Sequence, residues 1–160
     1  MDEQQLKRPS FRASGAASIK HLNVRKEGPD DEKILAVDIK MEIKGIHRFL
    51  CWYFDDALEL FLWRGETNAL IERNIWLTPV QYGNIVSGAT AHIGGQTFVG
   101  AEIKKFIITP RDGGVINLTC SVTIHPNSEE VSQLAKLVQD QTYVSLEGPK
   151  DLFDSTNQTE

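Results

Sequence analysis

Polar and apolar residues alternate most regularly between residues 116 and 125. Every even position in this run is apolar and every odd position is polar, which is the period of a strand with one buried face. A slip of one residue would expose the whole apolar set, so the pattern also fixes the register of the strand. Residues 35–43 alternate in the same way, with charges of both signs on the polar face. The pattern therefore predicts two strands that each cover a core on one side.

Two glycine-containing turns divide the chain between residues 90 and 126 into three strand-like runs. Residues 110–114 offer a proline for the entering bend and glycines for positive φ. Residues 101–109 and 115–125 are therefore predicted to pair antiparallel. The other turn lies upstream, where Gly94-Gly95 separates residues 90–93 from residues 96–99 and predicts a two-residue hairpin.

The run at residues 101–109 changes the parity of its apolar positions at its centre. These positions are odd before Lys104 and even after Lys105. One extra residue in a strand produces such a change, and a β-bulge is the structure that contains it. The sequence therefore predicts a bulge at two consecutive lysines.

Two segments have a helical period instead. In residues 54–63, Asp55 and Asp56 would fall in the first turn, where acids complement the helix dipole. The apolar stripe of this segment consists of Phe54, Leu58, Phe61 and Leu62. Further along, Asn127 and Glu130 have the spacing of a capping box and predict the start of a second helix. Its apolar stripe consists of Val131, Leu134, Ala135 and Val138.

These elements, with a last strand at residues 142–146, predict a mainly β (α+β) fold. We expect a single small antiparallel barrel or sandwich of about seven strands with two short helices. Residues 18–147 would form this domain. Residues 1–17 mix charge, serine, glycine and alanine without a period, which predicts a flexible basic N-terminal arm. Residues 148–160 would form a polar acidic C-terminal tail.

Length and composition add limits on class and compartment. A chain of 160 residues is expected to form one domain with a buried core. No apolar run approaches the ~18 residues of a membrane helix, and residues 1–20 lack the apolar centre of a signal peptide. We therefore expect a cytoplasmic protein that does not bind membranes. In that compartment Cys51 and Cys120 would be free thiols, and Cys120 lies on the predicted inward face of its strand.

Charge is unevenly distributed along the chain. The net charge is −5, yet residues 7–26 contain six lysines and arginines and no acid. Such a segment can bind a nucleic-acid backbone by releasing counterions, and an aromatic residue within it can stack on a base. A plain solubility feature is the alternative. The candidate nucleic-acid-binding residues are Lys7, Arg8, Phe11, Arg12, Lys20, Arg25, Lys26, Lys104, Lys105 and Arg111.

Catalytic and metal-binding patterns give no positive signal in the sequence. His47 and Cys51 are spaced as i, i+4, but zinc takes at least three protein ligands. The G-x-S-x-G, S-x-x-K and H-E-x-x-H motifs are missing, and the glycines do not form a phosphate-binding loop. We therefore expect a non-enzymatic protein with no metal and no cofactor.

Two stretches, residues 24–40 with the sequence VRKEGPDDEKILAVDIK and the hairpin at residues 105–126, resemble small accessory proteins of phages and prophages. The resemblance extends over about residues 19–146. Such proteins are associated with genes for recombination and single-strand handling, and they also include inhibitors of host defence systems. The resemblance implies a phage-encoded binding protein with no catalytic residues to carry over.

The tail resembles the partner-docking tails of bacterial and phage single-stranded DNA-binding proteins, which end in acids and a terminal phenylalanine. Leu152 and Phe153 are therefore candidate partner-binding residues. The tail departs from that pattern because Phe153 lies seven residues from the end and the acids are sparse. An ordinary frayed terminus is the alternative.

Two functions from different classes remain. The first is a phage-type single-stranded DNA-binding or recombination accessory protein on a small OB-like barrel, in the host cytoplasm. The alternative is a protein-binding module that inhibits or regulates a host enzyme or defence system through its acidic surface, which can mimic nucleic acid. The expected partners are thus single-stranded nucleic acid or a host or phage protein. Exposed strand edges predict a homo-oligomer in either case.

Overall fold

A computed structural model describes residues 9–64, 72–73 and 79–149. The strands are β1 (Arg12–Glu27), β2 (Ile34–His47), β3 (Trp63–Arg64), β4 (Glu72–Arg73), β5 (Val80–Tyr82), β6 (Val86–Ile93), β7 (Gln96–Arg111), β8 (Val115–Ile124) and β9 (Gln141–Glu147). The helices are α1 (Cys51–Phe54), α2 (Leu58–Leu62) and α3 (Ser128–Ala135), and a 3-10 turn spans Arg48–Leu50. None of the helices in these described ranges is long and apolar enough to cross a membrane.

Seven strands form one sheet in the order β5-β7-β6-β9-β1-β2-β8, and every pairing is antiparallel. Because β8 also pairs with β7, six of these strands close into a ring, and β5 pairs with β7 beside it. Strands β3 and β4 pair separately. The predicted fold class is confirmed: the protein is mainly antiparallel β, with a few short helices and a strand arrangement that fits a small barrel or sandwich.

Two long strands, β1 and β7, each take part in two halves of the ring. Residues 12–18 of β1 pair with β9, whereas residues 17–27 pair with β2. Similarly, residues 96–103 of β7 pair with β6 and residues 102–111 pair with β8. Both strands therefore change neighbours along their length, which lets a single sheet wrap around one core.

The core lies inside the ring and follows the predicted alternation. Met41 of β2 and Val122 of β8 are fully buried, as are the other apolar residues predicted to face inward on β8, to within 1% exposure. Phe106 of β7 lies at the centre of an aromatic group, with ring centroids 5.4 Å from Phe11 and 5.0 Å from Phe54. Both predicted half-buried strands are confirmed, and so are the hairpin at Gly94-Gly95 and the pairing of β7 with β8.

The flexible arm predicted for residues 1–17 is wrong where the structure describes it. Strand β1 begins at Arg12, and Gly15 pairs with Val144 of β9. A Cβ atom at Gly15 would lie 2.9 Å from the carbonyl oxygen of Lys44, so the small residue permits a close approach of β1 to β2. What resembles a flexible Ser-Gly-Ala-Ala joint is therefore a closely packed strand crossing, and the domain begins before residue 18.

The helix predicted at residues 54–63 is interrupted. Asp55 ends α1 in an extended conformation, and its side-chain Oδ1 accepts a hydrogen bond from the backbone N–H of Ala57 at 2.8 Å. Such local bonding competes with helix formation. The remaining turn, α2, buries Leu58 and Leu62, but Phe61 is 61% exposed. The Asp55 side chain thus forms a turn and does not start a helix.

The second predicted helix is confirmed as α3. Asn127 accepts a bond from the backbone N–H of Glu130 at 2.8 Å, and Glu130 Oε1 accepts one from the backbone N–H of Asn127 at 2.9 Å. This is the capping box that the spacing predicts. Leu134 packs into the core, whereas Ala135 is exposed and ends the helix.

Candidate functional site

The bulge predicted at Lys104 and Lys105 is present in β7. The pairing with β8 shifts between Lys104 and Ile107, and Lys105 has a φ of 61°. A left-handed conformation is unfavourable for a residue with a Cβ atom. Bulges re-aim side chains and occur next to functional sites. Here the bulge lets two consecutive lysines line the same depression on the outer surface of the ring.

A second bulge lies in β1 and was not predicted. Ile19 pairs with Met41 and His21 pairs with Lys40, so Lys20 is the extra residue between them. Both Lys20 and His21 are exposed. The Lys20 ammonium lies 3.6 Å from a carboxylate oxygen of Glu42 on β2. The apolar positions do change parity here, from Ile19 to Leu22 and Val24. The residues before Ile19 are mostly alanines and a glycine, so this change is a weaker signal than the one at Lys104-Lys105.

The two bulges lie at opposite ends of one row of residues that crosses four neighbouring strands. His21 pairs with Lys40, Lys40 with Ser121, and Ser121 with Lys104. We call these four residues, together with Lys105, the lysine row. The row lines a surface depression of about 430 Å³, to which Asn23, Thr119 and Ile107 also contribute. Three lysines and two hydroxyl groups therefore converge on one outward-facing hollow.

The depression has an excess of positive charge. Among the described residues, Lys40 and Lys105 have no carboxylate within ion-pair distance, and Lys104 has one, from Glu102 at 3.4 Å. Asp38 is the one acid among the described residues that line the depression. The Arg25 guanidinium holds that carboxylate in two hydrogen bonds, of 2.9 and 3.1 Å. The lysines are therefore not neutralised by the wall of the site.

Asp38 belongs to an adjacent set of residues that we call the ion-paired row. Its members are Asn23, Arg25, Glu27, Asp38, Thr123 and His125. Hydrogen bonds from Arg25, and then from Thr123 at 2.6 Å, hold the pKa of Asp38 well below its usual range, although partial burial opposes them. The hydrogen bonds to Asp38 and to Glu27 raise the pKa of Arg25, and the bond from Arg25 lowers the pKa of Glu27.

Of the four described basic residues predicted on the N-terminal segment, three pair with acids: Arg12, Lys20 and Arg25. Arg12 lies 3.4 Å from Glu147, and Arg25 belongs to the ion-paired row. Lys26 is exposed near the end of β1. The remaining predictions, for Lys7 and Arg8 and for the partner-binding residues Leu152 and Phe153, lie outside the described residues.

Phe11 is not available for base stacking. Its side chain is 2% exposed, and its ring packs on those of Tyr53 and Phe106 at centroid distances of 5.3 and 5.4 Å. A base could reach it only if the core opened, so this prediction is wrong. An aromatic residue within a basic segment is equally compatible with a core position when the segment is a strand.

Arg111 does not extend the lysine row. It lines a separate, larger depression of about 790 Å³, in which Lys44 and Arg111 are balanced by Glu42 and Asp112. The backbone carbonyl of Arg111 accepts a hydrogen bond from Trp63 Nε1 at 2.7 Å, and Trp63 is buried, as expected for a core residue. The depression at Arg111 is larger than the one at the lysine row, but its charges are balanced, so it is the poorer site for an anion.

The thiols are buried and unreactive. Burial raises the pKa of Cys120 to about 12, and burial together with the nearby Glu59 raises the pKa of Cys51 to about 12. Neither is a thiolate at neutral pH. His47 accepts a hydrogen bond from the backbone N–H of Phe49 at 3.1 Å and so caps the 3-10 turn. Within the described ranges, no three metal-ligating side chains converge.

Comparison of the chain with protein-family models, with curated proteins and with solved structures finds no match. The geometry and charge of the surface are therefore the basis for any statement about function.

Proposed function

We propose that this protein is a non-enzymatic single-stranded nucleic-acid-binding protein of the recombination accessory type, and that the lysine row binds the phosphate backbone. One observation carries the proposal. Two bulges and a cross-strand register bring His21, Lys40, Lys104 and Lys105 to one outward hollow, with the Ser121 hydroxyl between them. Lysine ammonium groups and hydroxyls are common donors to phosphate oxygens.

The acidic net charge of −5 does not oppose this proposal at the site itself. Exposed charges further apart than about 10 Å are largely screened at moderate salt. The acids nearest the row each have a basic partner: Arg25 for Asp38, Lys20 for Glu42, and Lys104 for Glu102. A bound phosphate would therefore experience mainly Lys40, Lys105 and a partly neutralised Lys104.

The row also has a suitable length. Neighbouring strands lie about 4.8 Å apart, so Lys40 and Lys104, which are separated by β8, are about 10 Å apart at their Cα atoms. Flexible lysine side chains at that spacing can reach successive phosphates of an extended strand. The backbone would then cross β2, β8 and β7 roughly at right angles to the strands.

The test is fluorescence anisotropy of a labelled single strand of about 30 nucleotides, with wild-type protein and two charge-reversal variants. Lys40→Glu/Lys104→Glu changes the row, whereas Lys33→Glu/Lys136→Glu makes the same change in net charge at exposed positions outside it. We expect the first variant to lose at least tenfold in affinity and about two units of the logarithmic salt slope, since each lysine contacts about one phosphate.

The matched control should bind as wild type does. No binding by wild-type protein at low salt would overturn the proposal. Equal losses in both variants would also overturn it, because they would show that net charge and not the lysine row governs binding.

The alternative, a regulator that binds a host protein through acidic surface, is favoured by the turn between β1 and β2. Asp30, Asp31 and Glu32 are exposed in this turn. If the protein inhibits a DNA-directed host enzyme, it should lower the nuclease activity of a bacterial lysate on single-stranded DNA. The lysine-row variant should keep this inhibition, and Asp31→Lys/Glu32→Lys should lose it.

Association of the chain into a homo-oligomer stays a prediction from its exposed strand edges.

A further inference from the structure

A third depression, of about 640 Å³, adjoins the lysine row on the side of β5. The two depressions share Lys104, Lys105 and Ile107. The lining differs in chemistry, because this depression takes its other residues from the end of β5, from the segment that joins β5 to β6, and from Phe106 of β7. We call Tyr82, Ile85 and Ile107 the apolar shelf. Lys105, at the bulge, lies on the boundary between the row and the shelf.

The shelf is apolar and is held in place by the core. Ile85 is 59% exposed, so its side chain is accessible to a ligand. Tyr82 is half-buried, and its ring lies 4.9 Å from that of Phe54, which is itself 7% exposed. Tyr82 also pairs with Phe106 through the β5–β7 ladder. The shelf therefore presents the exposed side chain of Ile85 beside a tyrosine ring that packs on the core.

We propose that the lysine row and the apolar shelf form one site for a nucleotide unit of a single strand. The phosphate lies on the row, and the base lies on the shelf. This inference rests on the proposed function and assigns its ligand class. Phosphate contacts alone do not distinguish single strands from duplexes, whereas an apolar surface beside them does, because only an unpaired base can leave its stack and cover Ile85.

The proposal explains why the bulge lies where it does. Lys105 has a φ of 61°, a conformation that non-glycine residues avoid. Backbone strain of this kind persists where the surrounding structure imposes it and is frequent at ligand sites. At this position it sets a charged side chain between the polar and the apolar depression, where a nucleotide has its sugar and phosphate.

The experiment uses two labelled strands of the same length, one with bases and one abasic throughout. Both carry the same phosphates, so the difference in affinity measures the contribution of the bases. We expect wild-type protein to bind the base-bearing strand about tenfold more tightly, a modest effect for contacts that are partly aliphatic. A duplex of the same length should bind about as weakly as the abasic strand.

Ile85→Ser should lose most of this preference and keep its affinity for the abasic strand. Ile85→Phe should increase the preference, because a larger flat surface covers more of a base. A folding defect cannot produce such an increase, so this variant keeps the test valid if Ile85→Ser folds poorly. Val99→Ser is the control: Val99 is 77% exposed and lies outside both depressions. It should behave as wild type does.

The outcomes separate this inference from the proposed function. Equal binding of the base-bearing and the abasic strand by wild-type protein would overturn the inference and leave the proposed function intact. No binding of either strand would overturn both. A preference that survives in Ile85→Ser and does not rise in Ile85→Phe would place the bases elsewhere and so overturn the inference.

Discussion

Two neighbouring rows on the same outer face of the ring use charge in opposite ways. In the ion-paired row, Asp38 accepts two hydrogen bonds from Arg25 and one from Thr123. The lysine row lies two residue pairs further along the same strands. In it, Lys40 and Lys105 have no carboxylate partner among the described residues. The first row satisfies its own charges, and the second leaves them for a ligand.

The difference shows that the number of basic residues in a segment does not locate a binding surface. Residues 7–26 have the highest density of positive charge in the sequence, yet Arg12, Lys20 and Arg25 each have an acidic partner in the fold. The lysines of the lysine row that have no acidic partner among the described residues, Lys40 and Lys105, come from β2 and β7, whose sequences are mixed in charge. Partners across strands, which sequence spacing does not reveal, decide which charges remain available.

Among substitutions that test the contrast between the two rows, we expect the largest effect from removing Asp38 of the ion-paired row, and this effect is on stability. The Asp38 side chain is only 24% exposed, and Asp38→Ala removes the acceptor of four hydrogen bonds, two from Arg25 and one each from Thr123 and Asn23. We expect the free energy of unfolding to fall by about 1–2 kcal/mol, the usual size for charge-assisted bonds that are partly screened by water. Urea unfolding measures this change. Glu102→Ala, which removes one exposed pair, is the control and should cost less than about 0.5 kcal/mol.

The stabilisation by Asp38 should also depend on pH. Its folded-state pKa is lowered, so below about pH 4 the unfolded state binds a proton before the folded state does. The stabilisation is therefore complete at neutral pH and is lost as the pH falls through the acidic range. The difference between wild-type protein and Asp38→Ala should shrink between pH 6 and pH 3. A constant difference over this range would contradict the assignment.

A substitution at the bulge should separate stability from binding. Lys105→Gly removes a Cβ atom from a left-handed residue, so we expect a gain of about 0.5–1 kcal/mol in the free energy of unfolding. The same change should weaken oligonucleotide binding, because one lysine of the row is lost. Lys44→Gly, in strand conformation on β2, should instead destabilise the protein. Loss of stability in Lys105→Gly would show that the bulge is not strained.

The smallest expected effect on stability is at the centre of the lysine row. Lys40 is exposed and has no ion-pair partner among the described residues, so Lys40→Ala should change the free energy of unfolding by less than about 0.5 kcal/mol. The same variant should bind the single strand more weakly. A large loss of stability would mean that Lys40 has a structural role, and the contrast between the two rows would fail.

The fold could be predicted from the sequence wherever burial of one face of an element gives its apolar residues a regular spacing. The strands β2 and β8, the two hairpins, the bulge at Lys104-Lys105 and the capped helix α3 each follow from local patterns. The bulge at Lys104-Lys105 contains two residues of the lysine row. It could be predicted because large apolar residues on both sides reveal the change of parity. Local rules suffice for these elements since each is specified by residues close together in the chain.

The rest depends on contacts between distant parts of the chain. Residues 12–17 of β1 have the sequence pattern of a flexible arm, because the buried residues there are alanines and the fit of β1 between β9 and β2 depends on close packing at Gly15. The lysine row was not predicted as a unit either. It exists only through the register of four strands, of which β1 and β7 are separated by most of the domain.

Closure of the ring has a consequence for how the chain acquires its structure during synthesis. Arg12 at the start of β1 pairs with Glu147 at the end of β9. The edge of β1 that faces β9 is therefore covered only after β9 has been synthesised. Until then, residues 12–18 offer unpaired backbone groups that another chain can bind. Pairing at such long sequence separation is slow. A nascent chain of this protein is therefore most vulnerable to aggregation just before the ribosome releases β9.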